Sequence, residues 1–304
     1  MPIPHEELQY LGLIWDISCN GSRETGRNGN TISVFGRSMR ISLKNGTLPI
    51  LTTKQVAWKT CAKELFWFLS GSTDNSILQK QGVHIWDGNA SREFLDSCGL
   101  SHYAENELGP IYGYQWRKFG APYPPTPENS KANDLNGPPT EKGIDQIKQI
   151  IDTLTNPEKR SSRRIVLSAW NPLQLDEMAL PPCHILAQFH VREGKYLSCA
   201  MYQRSGDVGL GVPFNILSYS LLTHILAKHT GLIADEFVYF LGNAHIYEEH
   251  GESLGQQLKR EPFPFPRIEI AGGPKSDISE YSLDDIVFLT PYQHHPPIPM
   301  KMKA

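Results

Sequence analysis

The sequence predicts an α+β fold on three observations. Segments with apolar residues at helical spacing are interleaved with segments whose apolar residues recur at every second position. No internal repeat organises them. Two of the alternating segments, on either side of Glu193-Gly194, are close enough to form a hairpin.

Taken in order, residues 6–20 read as a helix and 31–43 as a strand. Residues 54–69 form a second helix, in which Trp58, Cys61, Leu65 and Phe68 make an apolar stripe that ends before Gly71. Residues 121–127, four of them proline, and the Pro-, Asn-, Lys- and Gly-rich stretch after them read as a loop insertion at about 122–143 within one domain spanning residues 1–304. A helix over 143–155 follows, then strands at 164–169, 185–191 and 196–203. A long apolar helix over 214–229 stops before Gly231, and strands at 236–241 and 267–270 complete the pattern.

With 39 % hydrophobic and 20 % charged residues, the 304-residue chain has ordinary globular composition. It contains no run of about 18 apolar residues and no basic-then-apolar leader at its start, so we expect no membrane and a cytoplasmic location, with nuclear presence left open. The five cysteines, at 19, 61, 98, 183 and 199, fit neither a disulfide framework nor a zinc site; we expect reduced thiols and no metal. A formal net charge of −3 argues against bulk nucleic-acid binding but leaves room for a small anion held by a few arginines.

The most informative stretch runs from Pro181-Pro182-Cys183-His184 to Val212-Pro213-Phe214-Asn215. With Glu193-Gly194 at the centre of the hairpin turn, opposed residue numbers sum to 387, which places Cys183 across from Arg204. A fixed cation beside a thiol lowers its pKa and raises the nucleophilic thiolate fraction. Against this stands the usual use of cysteine as a small buried hydrophobe.

Glu64 flanks the stripe of its helix, where partial desolvation raises a carboxyl pKa and suits a general acid or base; a surface glutamate on a helix edge is the plain alternative. Arg27, Arg163, Arg164 and Arg204 are candidates for a phosphate clamp, provided the fold or a second subunit gathers them. Gly206-Asp207-Val208-Gly209-Leu210-Gly211 is not a dinucleotide loop, because its glycine order is reversed and a hairpin strand precedes it. Asn215 offers both a donor and an acceptor, the demand of a pyrimidine edge, unless it bonds its own backbone. His245 and Tyr247, two apart, can face one ligand hydroxyl or form a structural pair. Trp86, Asn89 and Tyr112 read as core or turn residues until something assembles them.

These segments, together with Thr31-Ile32-Ser33-Val34-Phe35-Gly36, Leu51-Thr52-Thr53-Lys54, Ile85-Trp86-Asp87-Gly88-Asn89 and Arg163-Arg164-Ile165, resemble the thymidylate synthase family almost from end to end. The resemblance implies a large mixed β-sheet packed by helices, with sheet faces forming a homodimer. It implies conversion of dUMP to dTMP with 5,10-methylenetetrahydrofolate as one-carbon and hydride donor, released as dihydrofolate. Cys183 is then the nucleophile at C6 of the pyrimidine, with Glu64, Tyr112, Arg204, Asn171, His184 and Asp207 in the catalytic set. Arg27, Gln203, Arg204, Ser205, Asp207, Asn215, His245 and Tyr247 bind dUMP, joined by Arg163 and Arg164 of the other subunit. Lys54, Ile85, Trp86, Asn89, Asp207, Leu210, Gly211, Phe214, Tyr247 and Met302 line the folate site.

The sequence departs from the family pattern in four places. The loop around Arg27 is one residue shorter, which leaves Arg23 as an alternative phosphate ligand; Arg160-Ser161-Ser162 is an insertion; Ala304 replaces the usual valine, weakening tail closure; and Asn243 replaces a common aspartate. Two other readings stand beside the synthase. One is a dCMP hydroxymethylase of the same fold, against which Asn215 argues because cytosine calls for an acceptor there. The other is a non-catalytic nucleotide- or folate-binding relative.

Overall fold

A computed structural model describes residues 4–26, 29–123 and 143–302. Arg27, most of the Pro-rich insertion and the last two residues therefore lie outside the described residues.

A six-stranded mixed sheet forms the frame, built from β1 (Ser22–Gly26), β2 (Gly29–Ser42), β3 (Val166–Ser168), β4 (His184–Arg192), β5 (Tyr196–Asp207) and β6 (Ile233–Tyr247). Its spatial order is β1-β2-β6-β5-β4-β3. Every neighbouring pair is antiparallel except β5 and β6, which run parallel. A parallel pair needs a long crossover. Here it is the 20-residue helix between the two strands.

The helices are α1 (Leu8–Asn20), α2 (Trp58–Leu69), α3 (Asn75–Gln79), α4 (Asp87–Ala90), α5 (Arg92–Ser97), α6 (Tyr112–Lys118), α7 (Gln146–Thr155), α8 (Gly211–Thr230) and α9 (Gly251–Gln257). Helix α8 is the spine of the core. Leu217, Leu221, Leu222, Ile225 and Leu226 are buried on several of its faces, and it packs against β5, β6 and α2. Each such side chain contributes about 2 kcal/mol of burial. The helix stops at Gly231, whose φ of 70° lets its N–H cap the carbonyls of Ala227 and Lys228.

The predicted long elements are present, with shifted ends. Strand β6 runs on past 241 to Tyr247, so His245 and Tyr247 lie on the strand itself, and α8 begins at Gly211 instead of residue 214. The short helices α3 to α6 and strand β1 carried too few residues to show a period in the sequence. The C-terminal strand at β7 (Ile268–Ile270) pairs with β8 (Ile286–Phe288), outside the main sheet.

The hairpin register differs from the expected one in an instructive way. Glu193 and Gly194 both take positive φ, and Arg192 pairs with Tyr196, so opposed numbers sum to 388 along most of β4 and β5. A bulge between His184 and Leu186 then shifts the ladder, His184 pairs with Gln203, and the Arg204 amide donates to the Cys183 carbonyl at 2.8 Å. The expected neighbours meet because the bulge adds back the residue that the turn displaced.

Candidate active site

Cys183 stands at the entrance to β4, partly accessible, where Pro181 and Pro182 interrupt the backbone ladder. The Arg204 guanidinium is tied down from two sides: Nε donates to the Pro182 carbonyl at 2.7 Å and Nη2 to the Pro181 carbonyl at 2.9 Å. It also lies 5.6 Å above the Trp170 ring, with Nη2 3.9 Å from Cys183 Sγ. Nη1 has no partner among the described residues and is available to an anion. The expected depression of the thiol pKa is corrected by the structure. Burial pushes the Cys183 thiol above its ordinary value, and Arg204 opposes that rise without cancelling it.

Tyr112, at the start of α6, accepts the Cys183 backbone N–H at 2.7 Å. Its ring stacks on His184 at 4.0 Å, and His184 Nδ1 meets the Tyr219 hydroxyl at 2.8 Å. Desolvation sends the Tyr112 phenol well above its usual pKa, with the nearby Cys183 adding to the rise. Desolvation also drives the His184 imidazole down to about 3, so the ring is neutral at physiological pH.

Glu64 projects from α2 beside Trp86, whose indole N–H donates to Glu64 Oε1 at 2.8 Å. Desolvation raises the carboxyl to about 7, partly opposed by that hydrogen bond. A carboxyl poised there can give or take a proton near neutrality. Beneath it, Cys61 Sγ is buried and donates to the Phe214 carbonyl, locking α2 to the first turn of α8.

Asn171 is buried, and its amide nitrogen donates to Gln174 Oε1 at 2.9 Å and Gln115 Oε1 at 3.3 Å. Asn215, in the second turn of α8, is half-buried, and its side chain makes no hydrogen bond among the described residues. Gln203 is turned inward: Nε2 donates to the Ser205 carbonyl at 2.8 Å and Oε1 accepts from the Tyr239 hydroxyl at 2.5 Å. Ser205 pairs with Asn243 across the parallel ladder, and Asp207 with His245. His245 and Tyr247 do face the same way, their rings 5.4 Å apart and nearly perpendicular, and His245 Nδ1 lies 3.0 Å from Asn243 Oδ1.

Asp207 Oδ1 accepts the Gly209 N–H at 2.8 Å, folding the loop between β5 and α8. The buried Lys54 ammonium donates to the Gly209 carbonyl; desolvation lowers its pKa to about 8, while Asp207 and Glu7 resist that shift. Glu7 is itself buried and receives the backbone and hydroxyl protons of Thr52 and Thr53, fixing the segment that carries Lys54. Leu210, Gly211 and Phe214 continue this wall, half-buried. Trp86 is buried against the Phe68 and Tyr112 rings, Asn89 is buried three residues further on, Ile85 is half-buried, and the Asn89 amide nitrogen has no partner among the described residues.

The C-terminal segment closes this side. His295 N–H donates to the Thr52 carbonyl, Ser253 Oγ to the Pro299 carbonyl, and His250 Nε2 lies 2.8 Å from the Lys301 carbonyl. Met300 packs against the core, and Met302 is exposed. Arg163 and Arg164, by contrast, are exposed beside the edge strand β3 and make no ion pair among the described residues. Arg23 is exposed and reaches Glu248 at 3.7 Å.

Gln115, Gln174, Trp170, Tyr219, Tyr239, His250 and Glu7 support the site without having been singled out from the sequence. Only Tyr219 had a local signal, since it lies one helical turn after Asn215 on the same apolar helix. A shallow depression of ≈ 860 Å³ between α7 and the end of α8, lined by Ile151, Asp152, Asn156, Glu158 and His229 among others, shares no residue with this cluster. It holds no nucleophile and no gathered polar network, so the cluster around Cys183 is the better candidate.

A protein-family model described as thymidylate synthase matches residues 8–304. The chain belongs to the thymidylate synthase family. It is 49 % identical over 301 residues to the thymidylate synthase of Homo sapiens, covering 98 % of this chain and 91 % of that one. It is 50 % identical over 303 residues to thymidylate synthase 1/2 of Encephalitozoon cuniculi, covering 99 % of this chain and 98 % of that one. It is also 49 % identical over 299 residues to the bifunctional dihydrofolate reductase-thymidylate synthase of Zea mays, covering 98 % of this chain and 54 % of the relative. The chain thus spans about half the length of the bifunctional plant relatives it matches. No helix among the described residues is long and apolar enough to cross a membrane.

Proposed function

We propose that this chain converts dUMP to dTMP, taking a one-carbon unit and a hydride from 5,10-methylenetetrahydrofolate and releasing dihydrofolate. The observation that carries the reading is the meeting, at the head of the β4–β5 hairpin, of an accessible thiol, a tethered guanidinium and a neutral polar network, with a carboxyl of pKa about 7 on the neighbouring helix wall.

In this reading the Cys183 sulfur adds to C6 of the pyrimidine ring, with Arg204 stabilising the thiolate that burial disfavours. Arg204 Nη1, Ser205 and Arg27 bind the phosphate. Asn215, whose amide bonds no group among the described residues, reads the uracil edge with one donor and one acceptor. His245 and Tyr247 hold the ribose, while Gln203 keeps β5 in register from inside. Glu64 moves protons to and from the ring through water, since at about pH 7 both of its forms are populated. The Tyr112 phenol is too strongly protonated to rest as a base, so it serves proton removal at C5 as a relay and steadies the Cys183 backbone. Asn171 and His184 complete the polar network, and Asp207 fixes the loop over the ring.

The folate lies against Lys54, Ile85, Trp86, Asn89, Asp207, Leu210, Gly211, Phe214, Tyr247 and Met302. The buried Asn89 amide nitrogen, unpartnered among the described residues, fits a polar ligand there, and the Trp86 and Phe214 rings fit a flat one. A homodimer is supported by the uncovered face of the main sheet, where Leu186, Tyr202 and Phe240 are exposed on neighbouring strands and Phe35 is 77 % exposed. Arg163 and Arg164, exposed at its margin and in no ion pair among the described residues, would then enter the partner's phosphate site.

The test is to supply 5,10-methylenetetrahydrofolate with either dUMP or dCMP and follow dihydrofolate by absorbance, with Cys183→Ala as the blank. Dihydrofolate formed with dUMP alone is the expected result. Its absence with both substrates would overturn the proposal, and a hydroxymethylated product from dCMP would replace it.

A further inference from the structure

Tyr219 has no place in the reaction as described so far, yet among the described residues it is the one side chain that hydrogen-bonds the His184 ring. It is buried on α8, one turn beyond Asn215, with its ring stacked on Phe237 at 6.2 Å and edge-on to His184 at 5.3 Å. Its hydroxyl meets His184 Nδ1 at 2.8 Å and no other partner among the described residues. The two possible directions of that bond are not equivalent. If Nδ1–H donated to the phenol oxygen, the buried phenol proton would have no acceptor, a loss that disfavours the arrangement. If the phenol donates, its only proton is used and the imidazole proton must reside on Nε2. That nitrogen bonds no atom among the described residues, and His184 keeps 7 % of its surface exposed.

We propose that Tyr219 is a positioning residue: by donating to His184 Nδ1 it holds the ring as the Nε2–H tautomer, which presents a fixed N–H donor, and no acceptor, to the site beside Tyr112 and Cys183. Addition of a thiolate to C6 of uracil pushes negative charge onto C5 and the exocyclic oxygen at C4. A neutral donor held in place serves that charge better than a ring free to switch tautomers. The stacking of Tyr112 on His184 at 4.0 Å gives the arrangement a second consequence, because a ring held by Tyr219 also holds the phenol that receives the Cys183 N–H. The catalytic part of this inference rests on the dUMP reading above; the tautomer itself does not.

The experiment is ¹⁵N NMR of the full chain labelled at histidine, with His184→Asn used only to assign the His184 signals. Wild-type protein should show Nε2 protonated and Nδ1 as a hydrogen-bonded acceptor. In Tyr219→Phe, which keeps the ring that stacks on Phe237, that single tautomer should give way to a mixture. Dihydrofolate formation from dUMP should then fall about tenfold in kcat, as expected for loss of a supporting partner, with the dUMP Kd within about twofold. A wild-type His184 protonated at Nδ1 overturns the proposal whether or not Tyr219→Phe folds. So does a Tyr219→Phe protein that changes tautomer without losing turnover, or loses turnover with the tautomer intact. If wild-type protein forms no dihydrofolate, the dUMP reading fails, and the NMR result still decides the tautomer.

Discussion

Glu64 is held where its charge is costly, and replacing it with glutamine should make the protein more stable and inactive together. Desolvation lifts its carboxyl from an ordinary 4.5 to about 7. Between those values the native state binds the proton more readily than the unfolded chain, so stability falls as pH rises across that window, and the loss is complete above about pH 7. The displacement corresponds to about 3 kcal/mol against the charged form. Glutamine keeps an acceptor for the Trp86 indole N–H but carries no charge to desolvate. Urea unfolding of Glu64→Gln and wild type, at matched protein concentration because an oligomer's stability depends on it, should show the variant about 2–3 kcal/mol more stable at pH 8. The gain should vanish near pH 4, where both side chains are neutral in the folded and the unfolded chain. Dihydrofolate formation should be lost at every pH. An equal stability difference at pH 4 and pH 8, or a variant less stable at pH 8, would refute the claim that desolvation sets this carboxyl.

Three further predictions follow from neighbouring contacts. A methyl group at Gly209 would sit 2.9 Å from His250 Nδ1 and 3.2 Å from Met300 Sδ, so Gly209→Ala should dislodge the C-terminal segment and raise the folate KM by about tenfold, with dUMP affinity by calorimetry unchanged. Arg117 joins Asp145 and Asp277 and donates to the Leu69 carbonyl, so Arg117→Leu should cost about 2 kcal/mol in urea unfolding after allowance for the partial exposure of Asp277. Burial would raise the Asp277 carboxyl, but the bonds from Arg117 and Ser279 outweigh it and bring the pKa down to about 2; the Asp277 part of that difference is therefore full above about pH 4 and fades as pH falls toward 2. Asn215→Asp should move the ratio of kcat/KM for dCMP and dUMP toward dCMP by at least about tenfold, and an unchanged ratio in a competition assay would remove Asn215 as the base reader.

The sequence by itself determined the elements whose period is long enough to be read. These include the stripe of α2, the uninterrupted apolar run of α8 and the alternation of β4 and β5, together with the residue types needed for a thiol, a cation and an amide reader. It also carried the motifs from which family membership could be recognised. What it could not fix were distances that depend on elements far apart in the chain. The Cys183–Arg204 neighbourhood was expected from a register one residue out, and it holds only because the bulge near Ile185 offsets the wider turn at Gly194. The direction of the thiol's pKa was likewise decided by tertiary structure, since the Arg204 charge is visible in the sequence but the burial that outweighs it comes from packing. Glu7 lies 45 residues before Thr52, and Tyr219 lies 35 residues after His184; no local pattern joins either pair. Periodicity reports which face of an element is apolar. Only the packed fold decides which polar groups those faces bring within hydrogen-bonding reach.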